Sequence, residues 1–343
     1  MAHKLLFASE NYPVLQNRTY ETYEEAVKCA TGQISLVQDL STGLIFNEAF
    51  DENLIKYDVH YHNEQTFSPM FRRHMEKVAD LLISVMAHAN FVEVGCGKGD
   101  FLELMQGRGQ SITGFDPAYE GSNPNIERKL FTGQLEAQDN VLILRHVLEH
   151  IKDPINFLKH LRDANGGGGM VYIEVPCFDW ILENDAYFDI FYEHVNYFRL
   201  PDFYRIFDRI VYAGKAFGGQ YLSIIADLSS IQEMQMISGT LDLPENFFPT
   251  NFDNGSNQII WGAASKGVIY SMLRERRNSP ILRVIDLNPA KQGRYLPITG
   301  HKVLSPAAGL ANLLDGSKIL VMNPNYLAEI QDMVGNIVDC EAV

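Results

Sequence analysis

The fold of this 343-residue chain is decided by the stretch Phe91-Val92-Glu93-Val94-Gly95-Cys96-Gly97-Lys98-Gly99-Asp100. An apolar, β-branched run meets three glycines spaced two apart, and an amphipathic run, Phe101-Leu102-Glu103-Leu104-Met105, follows at once. This order predicts a strand, a tight turn and the start of a helix. Glycine suits such a turn because it adopts positive φ and lets a ligand approach the backbone closely. The spacing E-x-G-x-G-x-G differs from the G-x-G-x-x-G of dinucleotide-binding turns.

Two further segments extend the pattern. The next predicted strand ends at Gly114-Phe115-Asp116-Pro117, about 20 residues after the glycine-rich stretch, where an acidic residue can accept ribose hydroxyls. The strand predicted at 141–145 runs into Leu144-Arg145-His146-Val147-Leu148-Glu149-His150-Ile151. The three segments in this order resemble the class I S-adenosylmethionine (SAM) methyltransferases. The resemblance implies that SAM is the cofactor and that the chain transfers a methyl group rather than a hydride.

The resemblance also implies which residues hold SAM. Gly95, Gly97 and Gly99 line the methionine and ribose parts of SAM, and Asp116 with Pro117 binds the ribose. Glu93 braces the loop or binds the methionine amine through water. Arg145 and His146 lie near the methionine part or the adenine edge.

The composition describes an ordinary globular protein, with 46% hydrophobic and 21% charged residues. The net charge of −15 argues against general nucleic-acid binding, which needs clustered Lys and Arg. No uncharged apolar stretch approaches the roughly 20 residues that span a bilayer, and the N-terminus is too weakly apolar for a signal peptide. We therefore expect no membrane association and a cytoplasmic protein.

Alternating strands and helices predict an α/β fold with a parallel sheet covered on both faces. The predicted helices are 70–88 and 153–163, and the predicted strands are 91–94, 111–115, 141–145 and 170–175. A second, smaller Rossmann-like unit is predicted from strands at 258–261, 282–286 and 318–322, with a small-residue turn at 262–267 and a helix from 268. The expected divisions are an N-terminal region (1–75), a SAM-binding domain (76–228), a linker (229–256) and a C-terminal substrate-binding domain (257–343).

Four segments point to a narrower family. They are Tyr61 to Arg72 (Y-H-N-E-Q-T-F-S-P-M-F-R), Leu144 to Pro154 (L-R-H-V-L-E-H-I-K-D-P), residues 173–198, which contain E-H-V-N-Y-F, and residues 284–294 (V-I-D-L-N-P-A-K-Q-G-R). From about residue 36 onward, the chain resembles the three-domain C-methyltransferases that act on nucleotide-linked keto-sugars.

One departure from that family concerns zinc. Its members usually begin with a small domain that holds zinc on two C-x-x-C knuckles. The second knuckle would fall at about Gln38-Asp39-Leu40-Ser41, which has no cysteine, and the four cysteines Cys29, Cys96, Cys177 and Cys340 are scattered. We therefore predict no metal and a degenerate remnant of the zinc domain. Its loss leaves the usual substrate and the oligomeric state, monomer or homodimer, open.

The family resemblance implies an active site. His194 is the expected base, which removes a proton from the carbon beside a ketone; Glu193 orients its ring or binds a sugar hydroxyl, and Tyr192 assists in proton relay. His150 is expected to donate to the carbonyl oxygen, and Tyr61 to close over the reacting centre. Gln65 and Ser68 are expected to reach the SAM carboxylate. The family more often has a tyrosine where this chain has Phe191. Glu149 is interpreted as a helix-face residue rather than a base.

Lys266, Lys291 and Arg294 are the expected contacts for the diphosphate of a nucleotide sugar, or else surface charges. Two other functions stay open at this point. One is O- or N-methylation of another small metabolite on the same scaffold, for which His194 could also serve. The other is a non-catalytic SAM-binding protein.

Overall fold

A computed structural model of the chain describes residues 2–57, 60–87, 89–135, 140–234, 239–252 and 257–343. The strands of these residues are, in chain order, β1 (His3–Pro13), β2 (Thr31–Asp39), β3 (Ile45–Asn47), β4 (Asn90–Val94), β5 (Ser111–Phe115), β6 (Ile126–Glu127), β7 (Val141–Arg145), β8 (Met170–Pro176), β9 (Asn196–Tyr197), β10 (Ile210–Ala216), β11 (Tyr221–Asp227), β12 (Gln258–Trp261), β13 (Arg283–Ile285), β14 (Val303–Leu304), β15 (Lys318–Val321) and β16 (Asp339–Ala342). The α-helices are α1 (Tyr23–Val27), α2 (Pro69–Val85), α3 (Asp100–Gly107), α4 (Pro154–Ala164), α5 (Phe178–Glu183), α6 (Leu200–Ile206), α7 (Ser265–Glu275), α8 (Pro306–Leu310) and α9 (Leu327–Val334).

The central sheet has the order β10-β11-β8-β7-β4-β5-β6. Strands β4 to β8 are parallel, and each lies within one residue of its predicted bounds where one was predicted. This confirms the predicted α/β fold class. The prediction of a wholly parallel sheet is wrong at β11, which runs antiparallel to both of its neighbours. Only four residues connect β10 to β11, and so short a connection forces an antiparallel pair.

Capping side chains set the starts of the two longest predicted helices. Ser68 accepts from the backbone N–H groups of the first turn of α2, and Pro69 fits the first helical position. Helix α4 begins in the same way, with Asp153 as the cap and Pro154 as its first residue. None of the helices in the described residues is both long and apolar enough to cross a bilayer.

The N-terminal region contributes three strands to a four-stranded antiparallel sheet. Its order is β1-β2-β3-β9, and β9 comes from residues far along the chain, so that Ile45 pairs with Tyr197 and Phe46 with Asn196. At the position expected for a zinc knuckle, the Asp39 carboxylate accepts hydrogen bonds from the Ser41 backbone N–H (2.8 Å), the Ser41 hydroxyl (2.6 Å) and the Thr42 hydroxyl (3.0 Å). Hydrogen bonds therefore close this turn.

The C-terminal unit is a five-stranded parallel sheet of order β14-β13-β12-β15-β16, as expected for a Rossmann-like unit. Of the expected linker, residues 229–234 and 239–252 are described and the rest lies outside the described residues. Its described part packs on the protein, because Phe247 is buried and Phe248 stacks on Phe7 with ring centroids 3.8 Å apart. A single cluster of buried side chains runs through all three sheets.

Gly267→Ala is expected to destabilise the C-terminal unit. A methyl group at this position in α7 would overlap the carbonyl oxygen of Gly262 in the turn after β12, and backbone cannot move aside as a side chain can. Overpacking of this kind costs about 1–3 kcal/mol. The matched control is Gly107→Ala in α3, where the added methyl meets nothing within 4 Å. Urea unfolding should place the Gly267→Ala midpoint clearly below that of the control, and equal midpoints would contradict the close approach.

Candidate active site

A cavity of about 930 Å³ lies where the N-terminal region, the central sheet and the C-terminal unit meet. The predicted site residues that line it are Tyr61, Gln65, Ser68, Glu93, Gly95, Gly97, Asp116, Pro117, Arg145, His146, His150, His194, Lys266 and Lys291. The structure places four predicted site residues outside this lining: Gly99, Tyr192, Glu193 and Arg294.

The glycine-rich turn follows β4 and faces the cavity. Gly95 and Gly97 have φ of 75° and 56°, values that L side chains rarely adopt. A side chain at Gly95 would also place its Cβ 2.6 Å from Val147 Cγ2, whereas Gly97 borders open space. Gly99 corrects the expectation that all three glycines line the cofactor, because it is the N-cap of α3 and packs against Ile126.

Asp116 is held at the tip of β5 by two backbone donors. Its Oδ2 accepts from the Gly97 N–H and its Oδ1 accepts from the Ala118 N–H, both at 2.8 Å. The carboxylate therefore ties the glycine-rich turn to the next strand. Its remaining lone pairs are free to accept from ribose hydroxyls, as at the same position of dinucleotide-binding folds.

Glu93 is a buried acid in the cavity wall. Burial raises its pKa to about 8, although the positive charge of Arg145 acts in the opposite direction. Its Oε2 has no hydrogen-bond partner among the described residues. A buried carboxyl oxygen without a partner is costly, so a bound cationic or N–H group would satisfy it.

Arg145 and His146 are both held by Glu174 on β8, a residue that sequence reasoning missed. Glu174 is fully buried and accepts hydrogen bonds from Arg145 Nε (3.2 Å) and Nη2 (3.0 Å), from His74 Nε2 (2.9 Å) and from the Tyr172 hydroxyl (3.0 Å). Burial alone would raise the pKa of Glu174, but Arg145, His146 and His74 bring it well below the ordinary value. Glu174 is therefore an anion that orients two cations.

His146 lies between two carboxylates. Its Nε2 is 3.3 Å from Glu174 Oε1 and its Nδ1 is 3.4 Å from Glu149 Oε1. Burial lowers the pKa of His146, but the two carboxylates outweigh it and raise the value to about 9. The ring is therefore positively charged at neutral pH. Its φ of 55° turns the chain sharply after β7.

His150 and His194 both line the cavity, and their ring centroids are 5.0 Å apart. His150 Nδ1 lies 2.8 Å from the backbone oxygen of Glu193, so Nδ1 carries a proton and donates it to that oxygen. His194 packs on Phe191, with centroids 3.9 Å apart. Burial, followed by the charges of His150, His146 and Lys266, lowers the pKa of His194 well below the ordinary value. His194 is thus neutral and able to accept a proton.

Glu193 and Tyr192 do not line the cavity themselves. Glu193 is buried, and its Oε2 accepts from the Gln16 backbone N–H at 3.0 Å. The Tyr61 hydroxyl faces this carboxylate, and burial together with the Glu193 charge raises the pKa of Tyr61 well above its ordinary value. The Tyr192 hydroxyl accepts from the Asp51 backbone N–H at 2.8 Å. This tie to the N-terminal region corrects the expectation that Tyr192 relays protons.

The predicted diphosphate contacts divide into two groups. Lys266 Nζ lies 2.7 Å from Asp189 Oδ2, and Lys291 Nζ donates to the Ala263 backbone oxygen at 3.0 Å; both lysines line the cavity. Arg294 instead donates from Nε to the Thr19 hydroxyl at 3.0 Å. The structure therefore corrects the expectation for Arg294, which fastens the N-terminal region to the C-terminal unit.

Gln65 and Ser68 are already engaged by the C-terminal unit. The Tyr326 hydroxyl donates to Gln65 Oε1 at 2.9 Å, and the Ser68 hydroxyl donates to Glu329 Oε2 at 2.8 Å. These contacts lie at the end of the cavity where the cofactor carboxylate was expected. The C-terminal unit therefore closes that end.

Asp286, at the end of β13, is a second residue that sequence reasoning did not assign to the site. Its Oδ2 accepts from the Ala263 N–H at 2.7 Å and its Oδ1 accepts from the Asn288 N–H at 2.8 Å. This repeats the arrangement of Asp116 with Gly97 and Ala118. The signal was present in the sequence, because Val284-Ile285-Asp286 ends a predicted strand as Gly114-Phe115-Asp116 does.

Residues 68–210 match the sequence family described as "Methyltransferase domain". The match begins at the N-cap of α2 and ends at the start of β10, so it includes the glycine-rich turn, Asp116, His150 and His194. The chain therefore contains a methyltransferase domain, and the predicted class of enzyme is confirmed for these residues.

Among characterised proteins, the chain is similar to the C-methyltransferase NovU of Streptomyces niveus, at 25% identity over 165 residues. The match covers 43% of this chain and 39% of NovU, so it spans well under half the length of that relative. Among solved structures, it is similar to a SAM dependent methyltransferase from Aquifex aeolicus (18% identity, 48% of this chain and 95% of that one, TM-score 0.37). It is also similar to the 1,6-didemethyltoxoflavin-N1-methyltransferase of Burkholderia thailandensis (11% identity, 57% of this chain and 95% of that one, TM-score 0.35).

Glu174→Gln is expected to destabilise the protein by about 3–5 kcal/mol at pH 7, because it leaves buried cations without their counter-ion. The folded-state pKa of Glu174 is depressed, so its contribution is complete above the unfolded-state value of about 4.3 and is lost as pH falls through the lower folded value. The difference in unfolding free energy between wild type and variant should therefore shrink in acid. Exposed Glu76→Gln on α2 is the control, with a change within about 0.5 kcal/mol. A difference that grows in acid would contradict the assignment.

Proposed function

We propose that this protein is a SAM-dependent methyltransferase that methylates a carbon atom of a nucleotide-linked keto-sugar through an enolate. The single observation that carries the proposal is the shared cavity. It joins the glycine-rich turn of the methyltransferase domain, the pair formed by His150 and His194, and the small-residue turn of a second Rossmann-like unit. A site of this kind can hold two nucleoside-containing molecules with a reacting centre between them.

The methyltransferase half of the cavity supports SAM as the methyl donor. Gly95 and Gly97 leave room for close backbone approach, and the Asp116 carboxylate is placed for the ribose hydroxyls. Glu93 Oε2 lacks a partner among the described side chains and suits the α-ammonium group. The site thus offers one group for each polar part of a nucleoside carrying an amino acid.

The opposite half of the cavity supports a nucleotide-linked acceptor. Asp286 is tied to the turn after β12 as Asp116 is tied to the turn after β4, and both carboxylates line the same cavity. The N-terminus of α7 and the Lys266 ammonium line the same cavity as Asp286 and suit a diphosphate. The similarity to the C-methyltransferase NovU also favours methylation of carbon.

The histidine pair supports enolate chemistry. SAM supplies an electrophilic methyl group on a sulfonium. His194 takes a proton from the carbon beside the acceptor ketone, and the electron pair of that C–H bond forms the enolate. Because the His150 Nδ1–H is donated to the Glu193 backbone oxygen, His150 donates from Nε2 to the oxygen that becomes negative, and this requires a ring that carries a proton on both nitrogens. The enolate carbon then bonds to the methyl group while the bonding pair of the breaking carbon–sulfur bond goes to sulfur, and His194 returns its proton to solvent.

The two aspartates provide a matched test of the two half-sites. Asp116→Asn should weaken S-adenosylhomocysteine binding by about 10- to 100-fold, because a charged acceptor is lost, and leave nucleoside diphosphate binding almost unchanged. Asp286→Asn should weaken nucleoside diphosphate binding and leave S-adenosylhomocysteine binding almost unchanged. Calorimetry with S-adenosylhomocysteine and with UDP, dTDP and GDP measures both, and each variant is the control for the other.

Three outcomes would count against this assignment. Absence of S-adenosylhomocysteine binding by the wild type would remove the methyltransferase function. Absence of binding to every nucleoside diphosphate would remove the nucleotide-linked acceptor. Equal effects of both variants on both ligands would mean that Asp116 and Asp286 act on the fold rather than on separate half-sites.

His194→Gln is expected to leave SAM affinity nearly unchanged and to lower turnover on the order of 10²-fold or more, because it removes a base and not a cofactor contact. Deuterium exchange at the carbon beside the acceptor ketone, measured without SAM, should fall by a similar factor. Exchange that persists in the variant would remove His194 from the role of base. A methylated product that is an ether would favour O-methylation.

A further inference from the structure

The carboxylate of Glu329, on α9 of the C-terminal unit, is bound to the first turn of α2. Its Oε2 accepts a hydrogen bond from the Ser68 hydroxyl at 2.8 Å and another from the Met70 backbone N–H at 3.2 Å. The N-terminus of a helix attracts anions, because its first N–H groups lack partners within the helix and its dipole end is positive. Here the bound anion is a side chain of the protein itself, from 261 residues further along the chain than Ser68.

The start of α2 belongs to the wall of the cavity that contains the cofactor residues. Ser68 lines the cavity together with Glu93 and Arg145. Further along α2, His74 binds Glu174, the same carboxylate that holds Arg145. The charge of Arg145 in turn acts on Glu93. A short chain of contacts therefore connects the first turns of α2 with the buried Glu93 carboxyl.

The amino-acid end of SAM carries an ammonium and a carboxylate on the same carbon atom. The ammonium suits Glu93 Oε2, which has no partner among the described side chains, so the carboxylate needs donors close to it. Arg145 is already committed to Glu174 by two hydrogen bonds. The Ser68 hydroxyl is a donor that lines the cavity, and the carboxylate that it now holds, that of Glu329, lines the same cavity.

We propose that Glu329 is an internal competitor for the carboxylate of SAM: it occupies the donors at the start of α2 in the cofactor-free protein and leaves them when the cofactor binds. No covalent bond forms or breaks in this exchange, because one carboxylate replaces another on the same donors. The proposal rests on SAM as the cofactor of the function proposed above. It does not depend on the identity of the acceptor or on the enolate.

The C-terminal unit can release Glu329 and still stay attached. Glu329 is only half-buried, so its carboxylate can pass from the Ser68 hydroxyl to water. Other polar contacts of the same segment remain: Gln220 and Asn323 exchange two amide hydrogen bonds of 2.7 and 2.9 Å, and the Tyr326 hydroxyl donates to Gln65. Cofactor binding therefore frees the end of α9 beside α2 without detaching the unit.

An internal competitor lowers the measured affinity for the cofactor by the fraction of time in which the donors are free. Two ligands separate this effect from others: S-adenosylhomocysteine has the amino-acid end of SAM, and 5′-methylthioadenosine lacks it. In the full-length protein, calorimetry should show that Glu329→Ala binds S-adenosylhomocysteine about 10-fold more tightly than wild type, as for donors that are free about a tenth of the time. The affinity for 5′-methylthioadenosine should be unchanged.

The matched control is Asp332→Ala, which removes an exposed carboxylate one turn further along α9 and should leave both affinities unchanged. Glu329→Gln, which removes the charge and keeps the shape, should give a smaller gain for S-adenosylhomocysteine, and it carries the comparison if the alanine variant does not fold. Thermal unfolding of each ligand-free variant reports whether it is folded.

Three results would overturn the proposal. An unchanged affinity of Glu329→Ala for S-adenosylhomocysteine would mean that no competition exists, and a weaker one would mean that Glu329 helps to hold the cofactor. Equal gains for both ligands would mean that the substitution opens the whole cavity. Failure of wild type and all variants to bind either ligand would be a different result, because it would remove the methyltransferase function itself and the proposal with it.

Discussion

The buried charge of Glu174 is the constraint on which the site depends. A carboxylate without solvent is stable only when cations and hydrogen-bond donors surround it, and Glu174 takes them from three elements: Arg145 at the end of β7, His74 on α2 and Tyr172 on its own strand. These elements must therefore come together in one arrangement. Arg145 and His146 are then fixed at the edge of the sheet where the glycine-rich turn lies, so a structural ion pair also shapes the part of the cavity beside that turn.

Two sheet edges of the same kind face the cavity. In each, an aspartate at the tip of one strand accepts N–H groups from the turn after the neighbouring strand: Asp116 in the central sheet and Asp286 in the C-terminal unit. Such turns need the backbone N–H groups to point into the crevice at the carboxyl ends of parallel strands. The histidine pair lines the same cavity as the two edges.

Local patterns predicted the strands, the glycine-rich turn and Asp116, because each depends on residues close in the chain. Contacts between distant residues could not be read in this way. Tyr192 lies two residues before the base candidate His194 but binds the backbone of Asp51, 141 residues away, and Arg294 binds Thr19 across 275 residues. Both were therefore assigned to the site by their neighbours in sequence, and tertiary packing turned them elsewhere. Asp286 was missed although its strand was predicted, because its role depends on the turn that it faces.

The N-terminal region links the turn after β2 to His194. Where the family resemblance would place a zinc knuckle, Asp39 closes the turn between β2 and β3 by accepting three hydrogen bonds. Strand β3 in turn pairs with β9, which begins two residues after His194. The position of His194 is thus fixed on one side by a sheet whose turn between β2 and β3 is closed by the Asp39 carboxylate.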